Sequence, residues 1–349
     1  KNSISNTEKI GLELEHFITQ NGKPVGYFSG ISEIVGKLAE NADRVFTENG
    51  NILGYAKKDY AITLEPGGQV EISTKPYNDS ESIKNAVRDF YDEITPILKA
   101  KGMEIEIRPV LEESPDEIEL LPKERYRFMD EYFKKSGNTG RKMMRCTTSA
   151  QVSVDYLSEA DFVKKYRLAY ILSPFFALFA EGKNLGKRIT IWNNTDSERT
   201  KIPDGIFSED FGFSRYAEYI LSNKPIFIPE GDSFIYTGDK TSLEVLKETK
   251  RQDLTEHFLS MVFPDVRLKQ YIEIRIADAL PLDRAIEYAE FIKGIFYGGK
   301  IDVLLEKYKN VRTEDIISAK NEIVKHGKNA VIYGKNAMKE LNYLKGVVK

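Results

Sequence analysis

An α+β fold built on a largely antiparallel sheet follows from three features of the 349-residue sequence. Four segments far apart in the chain alternate apolar and polar residues with period two, as strands with chemically different faces do. Long helical patterns lie between them. No internal repeat, low-complexity tract or linker divides the chain, so a single α+β unit over residues 1–300 is expected, with a helical tail at 301–349 packed on it.

In chain order, IGLELEHF from Ile10 sets Leu12 and Leu14 against Glu13 and Glu15. Around EPGGQVEIS, residues Ile62, Leu64, Val70 and Ile72 share one face, and Thr63, Glu65, Gln69, Glu71 and Ser73 share the other. Asp79 and Ser80 cap a helix from Glu81 to about Lys101, with a break expected near Pro96. SAQVSVDY opposes Val152 and Val154 to Ser149, Gln151, Ser153 and Asp155. Ser158, with Glu159 and Asp161 behind it, starts a helix that runs into LAYILSPFFALFA, Leu168 to Ala180. That run is too short to span a bilayer and contains Pro174, so a buried, kinked helix is expected. YIEIRIAD repeats the strand design, with Ile272, Ile274 and Ile276 against Glu273 and Arg275. A helix from about Asp283 ends at Gly298-Gly299, and two or three charged amphipathic helices follow.

Acidic and basic residues are interspersed, 54 against 51, for a net charge of −3. Nothing in that balance calls for a nucleic acid or an anionic membrane as partner. The single cysteine, Cys146, excludes an intrachain disulfide framework, and with only three histidines it leaves too few ligands for a structural zinc site. The N-terminal stretch has no apolar run of signal-peptide type, and a reducing, cytoplasmic setting is expected.

Carboxylates on the wet face of an antiparallel sheet need no function. Here the polar faces are acid-rich, one strand carries Gly67 and Gly68, and Arg275 follows Glu273 on the same face. Glycine inside a strand pattern marks a bulge or close approach by a ligand. If the sheet curves so that these faces meet, carboxylates about 4 Å apart repel by roughly 4 kcal/mol at an effective dielectric near 20. They must then protonate or gather cations. Oxygen ligands without His or Cys suit a hard cation, with Mg²⁺ and its phosphate partners the natural candidate. Arg275 adds a clamp for phosphate or carboxylate. No P-loop, dinucleotide fingerprint or H-E-x-x-H motif occurs, and His16, His257 and His326 lack the neighbours of a triad. A glycosidase would use a carboxylate pair but has no particular need of Arg275 and a wider acidic cluster.

These residues resemble the glutamate–cysteine ligases of plant and proteobacterial type, within the wider group of carboxylate–amine ligases. The likeness rests on IGLELEHF (Ile10–Phe17), LEPGGQVEIS (Leu64–Ser73), LPKERYRFM (Leu121–Met129), MMRCTTSAQVSVDY (Met143–Tyr156), RITIWNNTDSERT (Arg188–Thr200) and FPDVRLKQYIEIRIAD (Phe263–Asp278). The resemblance implies a glutamine-synthetase-like fold, with a curved antiparallel sheet forming a funnel flanked by helices. It implies ATP and Mg²⁺, with Mn²⁺ as the substitute metal, held by Glu13, Glu15, Glu65, Glu71 and Glu273. Gln69 and Gln151 would complete the polar wall, and Arg275 would contact the transferred phosphate of the nucleotide. Arg188, Trp192 and Arg199 would bind glutamate, Arg199 also serving catalysis, while Met143 and Arg145 would face the amine. Lys123 and Arg125 match the PK-x-RY segment, where a structural role is equally open.

The implied reaction joins the γ-carboxylate of L-glutamate to the amino group of L-cysteine through a γ-glutamyl phosphate. Alternatives are a ligase of the same group with another amine, a non-catalytic nucleotide- or amino-acid-binding relative, and a guanidino kinase on a related sheet. Cys146 has no part in this chemistry. Arg145 stands where an aromatic or small residue is usual, and either turns away harmlessly or favours an amine bearing an acidic group, which cysteine also carries.

Overall fold

The computed structural model describes residues 4–136, 138–180, 185–231 and 233–348. Its strands are β1 (Ile10–Gln20), β2 (Lys23–Pro24), β3 (Arg44–Glu48), β4 (Asn51–Ala56), β5 (Tyr60–Leu64), β6 (Val70–Thr74), β7 (Met103–Glu106), β8 (Ala150–Val154), β9 (Phe227–Glu230), β10 (Ser233–Tyr236), β11 (Val266–Leu268) and β12 (Ile272–Ile274), with a two-residue hairpin in the tail. Ten of these form one sheet in the order β11-β12-β8-β1-β6-β5-β4-β3, with β2 and β7 also paired to β1. Every pairing is antiparallel, so the expected α+β, mainly antiparallel architecture is found.

The apolar parity of the strands builds the core. Leu12, Leu14, Ile62, Leu64, Val70, Ile72, Val152, Val154, Ile272 and Ile274 are all buried. Each contributes about 1.5–3 kcal/mol of hydrophobic stabilisation relative to exposure. Helices Ser80–Ala100 and Leu282–Tyr297 pack on the sheet, the first directing Ile83, Val87, Phe90, Ile94 and Leu98 inward.

Two prolines behave differently from a simple reading of breakers. Helix Ser80–Ala100, capped by Asp79 accepting from Ser82 N–H at 2.7 Å, runs straight through Pro96 instead of breaking there. Pro96 and Asp92, four residues earlier, are both exposed, so the carbonyl freed by the proline faces water. Helix Glu159–Phe179 likewise continues through Pro174. There the carbonyl of Tyr170 is buried, and the Ser173 hydroxyl donates to it at 2.9 Å. A local side-chain hydrogen bond replaces the missing backbone one.

That helix is buried on all sides from Leu168 to Phe179 because β11 and β12 lie on one side and the tail on another. The tail consists of helices Ile301–Lys307, Thr313–His326 and Ala337–Val347, all in contact with it. No helix among the described residues is long and apolar enough to cross a membrane.

Candidate active site

Residues opposite one another in an antiparallel ladder share a face, so the register fixes which polar side chains meet. Arg267 pairs with Glu273, Glu273 with Ser153, Gln151 with Glu13, Glu13 with Ser73, Glu15 with Glu71, and Glu71 with Thr63. One polar surface therefore crosses six neighbouring strands, from β11 to β5. It floors a cavity of about 830 Å³, within the range of small-molecule sites.

Gln151 ties this floor together. Its Nε2 donates to Glu15 at 2.8 Å and its Oε1 accepts from Arg275 at 2.7 Å, an arrangement that fixes the orientation of the amide. Glu15 also accepts from the N–H of Ser149 at 2.9 Å and from its hydroxyl at 3.0 Å. Glu273, fully buried, receives Arg267 at 2.7 Å and Arg275 at 2.9 Å on one oxygen and Lys269 at 2.7 Å on the other. Burial pushes its carboxyl up, but the three cations more than reverse this and hold it well below the usual range.

Glu13, Glu65 and Glu71 lack such compensation. Burial, with the charges of Glu71 and Glu273, pushes Glu13 up to about 8. Burial and Glu15 raise Glu65 to about 7, and burial with Glu65 and Glu15 raises Glu71 to about 8. Thr63 donates to Glu71 at 2.8 Å, the only close donor that Glu71 has among the described residues besides a 3.4 Å contact from Ser73. Oxygen donors that repel one another and reach an open cavity fit a hard divalent cation. Among the described residues no three His, Cys, Asp or Glu side chains are grouped to enclose a metal unaided, but Mg²⁺ takes only one or two carboxylates and fills its other positions with water and phosphate oxygens.

Glycines place Glu65 and Gln69. Gly68 has φ of +81°, and a Cβ on Gly67 would lie 2.3 Å from the Arg145 carbonyl oxygen. The loop between β5 and β6 is thus pressed against helix Gly140–Cys146. Gln69 lines the cavity but its amide is engaged internally: Oε1 accepts from Gly67 N–H at 2.7 Å and Nε2 donates to the carbonyls of Met144 and Thr147 at 3.1 and 2.9 Å. Its role is to hold the loop.

The opposite wall comes from helices. Met143 and Trp192 line it, joined by Met129, Met144, Leu259 and Phe263 into an apolar end. Tyr126 and Arg125 also line the cavity, and Arg125 reaches Ser260 at 3.3 Å. Lys123 stacks over the Tyr126 ring at 4.9 Å. Arg267 and Lys269 were missed by sequence reasoning. Their signal is the alternation Val266-Arg267-Leu268-Lys269, a strand too short to stand out.

Three arginines fall elsewhere. Segment RITIWNNTDSERT forms helices Lys187–Asn193 and Ser197–Thr200 behind the wall. There Arg188 donates to the Ile276 carbonyl at 3.1 Å and lies over the Trp192 ring, and Arg199 binds Asp196 and the Met261 carbonyl. Neither reaches the cavity surface. Arg145 points away as well, into a buried ion pair with Asp130 at 2.6 Å and onto the carbonyls of Pro115 and Ile118. A charged side chain so fully engaged is not offered to an amine. Arg145→Phe should leave any amine preference unchanged while destabilising the fold by less than the roughly 3–5 kcal/mol of a fully broken buried pair, because Asp130 keeps Arg141 at 3.0 Å; thermal melts beside competition between amines check this.

The family model of glutamate–cysteine ligase family 2 (GCS2) matches residues 9–298. Chloroplastic glutamate–cysteine ligases are 32% identical over 83% of this chain in Medicago truncatula, 31% over 83% in Arabidopsis thaliana and 30% over 91% in Solanum lycopersicum. The chain spans 61%, 58% and 65% of the length of these three relatives. Among solved structures, a glutamate–cysteine ligase of Francisella tularensis in complex with AMP is similar over 99% of this chain and 78% of its own, at 14% identity and a TM-score of 0.46. A bifunctional glutathione synthetase from Pasteurella multocida is similar over 98% of this chain and 44% of its own, at 11% identity and a TM-score of 0.45. With five-sixths of its length matched by the family model, and its carboxylates and Arg275 on one cavity floor, the chain belongs to glutamate–cysteine ligase family 2.

Proposed function

We propose that the chain catalyses ATP-dependent ligation of the γ-carboxylate of L-glutamate to the amino group of L-cysteine. The observation that carries this reading is the network Glu15–Gln151–Arg275–Glu273, which aims a guanidinium into a cavity floored by under-compensated carboxylates. Such a surface suits a polyphosphate with divalent cations. The apolar end, with its three methionines and Trp192, suits a small amine whose side chain is compact and polarisable, as a thiol is.

Glu13, Glu65 and Glu71 would hold Mg²⁺, or Mn²⁺ in its place, since their charge is least satisfied; Glu15 and Glu273 face the same cavity and would join by exchanging present partners. The metal would supply neutralisation of phosphate charge. The side-chain carboxylate of glutamate attacks the γ-phosphorus of ATP, giving an acyl phosphate and ADP. The amine then attacks the acyl carbon, and phosphate leaves as the amide forms. Arg275, held by Gln151 and Glu273, places positive charge where the transferred phosphoryl group carries its negative charge. Gln151 keeps Arg275 oriented, and the methionine wall excludes water that would otherwise hydrolyse the acyl phosphate.

Release of ADP with MgATP and L-glutamate, across a panel of amines led by cysteine and with the product identified by mass, tests the reading. A γ-glutamylcysteine product is expected. Glutamate-dependent ADP release with preference for another amine would move the reading to that ligase, and no glutamate-dependent turnover would overturn it.

A further inference from the structure

Outside the residues matched by the family model, helix Thr313–His326 sends Lys320 to a buried ion pair with Asp265, Nζ to Oδ2 at 2.5 Å. Both groups are about nine-tenths buried or more. Asp265 begins the strand hairpin that builds the cationic side of the cavity. Its backbone carbonyl accepts from Arg275 N–H at 2.9 Å, and two residues earlier the Phe263 carbonyl accepts the indole N–H of Trp192, also at 2.9 Å. Two residues later stands Arg267, bound to Glu273. The segment that carries cavity-lining Phe263 and Arg267, and to which the backbone of Arg275 is fastened, is thus gripped from behind by a cation on the tail.

We propose that Lys320 is a positioning residue: through Asp265 the tail sets the backbone from Phe263 to Arg267, and so the placement of Arg275 in the site. The catalytic arm of this inference rests on the ligase reading; the structural arm does not. A displacement of about 1 Å at a reacting group costs on the order of 10²-fold in rate, which gives a distant salt bridge leverage over turnover without any contact with substrate.

Trp192 is the sole tryptophan, and its indole bond to Phe263 makes its fluorescence a reporter of this segment. In the full chain, Lys320→Met should shift Trp192 emission and quenching well below the melting temperature and lower kcat at least 10-fold, with a smaller change in KM for glutamate. Lys320→Arg should restore both. If Lys320→Met lowers only the melting temperature, with emission and kcat unchanged, the pair is merely structural and the proposal falls. Should that variant fail to fold, Asp265→Asn/Lys320→Met removes both charges together. The proposal expects the emission shift and rate loss to persist in the double variant, because the anchor is still missing. Recovery of wild-type emission and rate there would show that an uncompensated charge, not a lost anchor, was responsible, and would overturn it. If the wild type has no ligase activity, the fluorescence comparison still decides the positioning claim by itself.

Discussion

Glu71→Gln is expected to lower the proposed ligase turnover by on the order of 10²–10³-fold in kcat, while making the metal-free protein more stable near pH 8. Glu71 faces Glu15 across the β1–β6 ladder and shares the floor with Glu13 and Glu65. The folded-state values of Glu13, Glu65 and Glu71, about 8, 7 and 8, lie above the ordinary 4.5. As pH rises past about 4.5 the unfolded chain releases these protons while the folded chain keeps them. The stability they contribute is therefore complete below that pH and lost as pH climbs to about 8. A neutral amide at position 71 abolishes one such loss and relieves its neighbours. The gain should be about 1–2 kcal/mol at pH 8, given 1.36 kcal/mol per pKa unit and discounting for partial solvent access and relaxation. Melting curves in EDTA from pH 5 to 8.5 should show wild type losing stability with pH more steeply than the variant, and added Mg²⁺ should narrow the difference. A variant that is less stable than wild type at pH 8 would contradict this account.

Arg275→Met is expected to cost on the order of 10³-fold or more in formation of the proposed acyl phosphate, the scale at which an arginine stabilises phosphoryl transfer. The guanidinium binds Gln151 and Glu273 at the same time, and its Nε has no hydrogen-bond partner among the described residues. Arg275→Lys should recover little, because one nitrogen, Nη1, makes both contacts and an ammonium in its place lacks the remaining N–H groups of the guanidinium fork that could face a phosphate. The fold should survive, since Glu273 keeps Arg267 and Lys269. Single-turnover ADP formation with glutamate alone, before any amine is added, isolates this step. A loss confined to the amine-dependent step would reassign Arg275 to the second half-reaction.

The polar floor was legible because period two admits one answer: once Leu12, Leu14, Val152 and Ile274 are inside, Glu13, Glu15, Gln151, Glu273 and Arg275 must share the other face. The helices Glu159–Phe179 and Leu282–Tyr297 were legible for similar reasons of pattern and capping. Beyond Met143 and Trp192 the second wall was not, since Arg125, Met129 and Ser260 approach the cavity through tertiary packing that leaves no local period. The direction of an arginine is equally unreadable from its neighbours. Arg145, Arg188 and Arg199 sit in the expected segments, yet each turns to carbonyls or carboxylates behind the wall. Pro96 misled because its cost depends on whether the orphaned carbonyl meets water, a property of position in the fold.

The sheet ends at β3 on one side and β11 on the other, and open strand ends are templates for pairing with another chain. At β11 the hydroxyls of Tyr166 and Tyr170 both donate to the Val266 carbonyl, at 3.1 and 2.9 Å, so an acceptor that would recruit a foreign strand is already occupied. At β3 a register shift between Phe46 and Thr47 breaks the regular ladder, and charged Arg44 and Glu48 bound the strand. Removing both tyrosine hydroxyls would leave that buried carbonyl without these donors while the helix still covers the strand, so the helix that fills the core also acts as a guard against edge-to-edge aggregation.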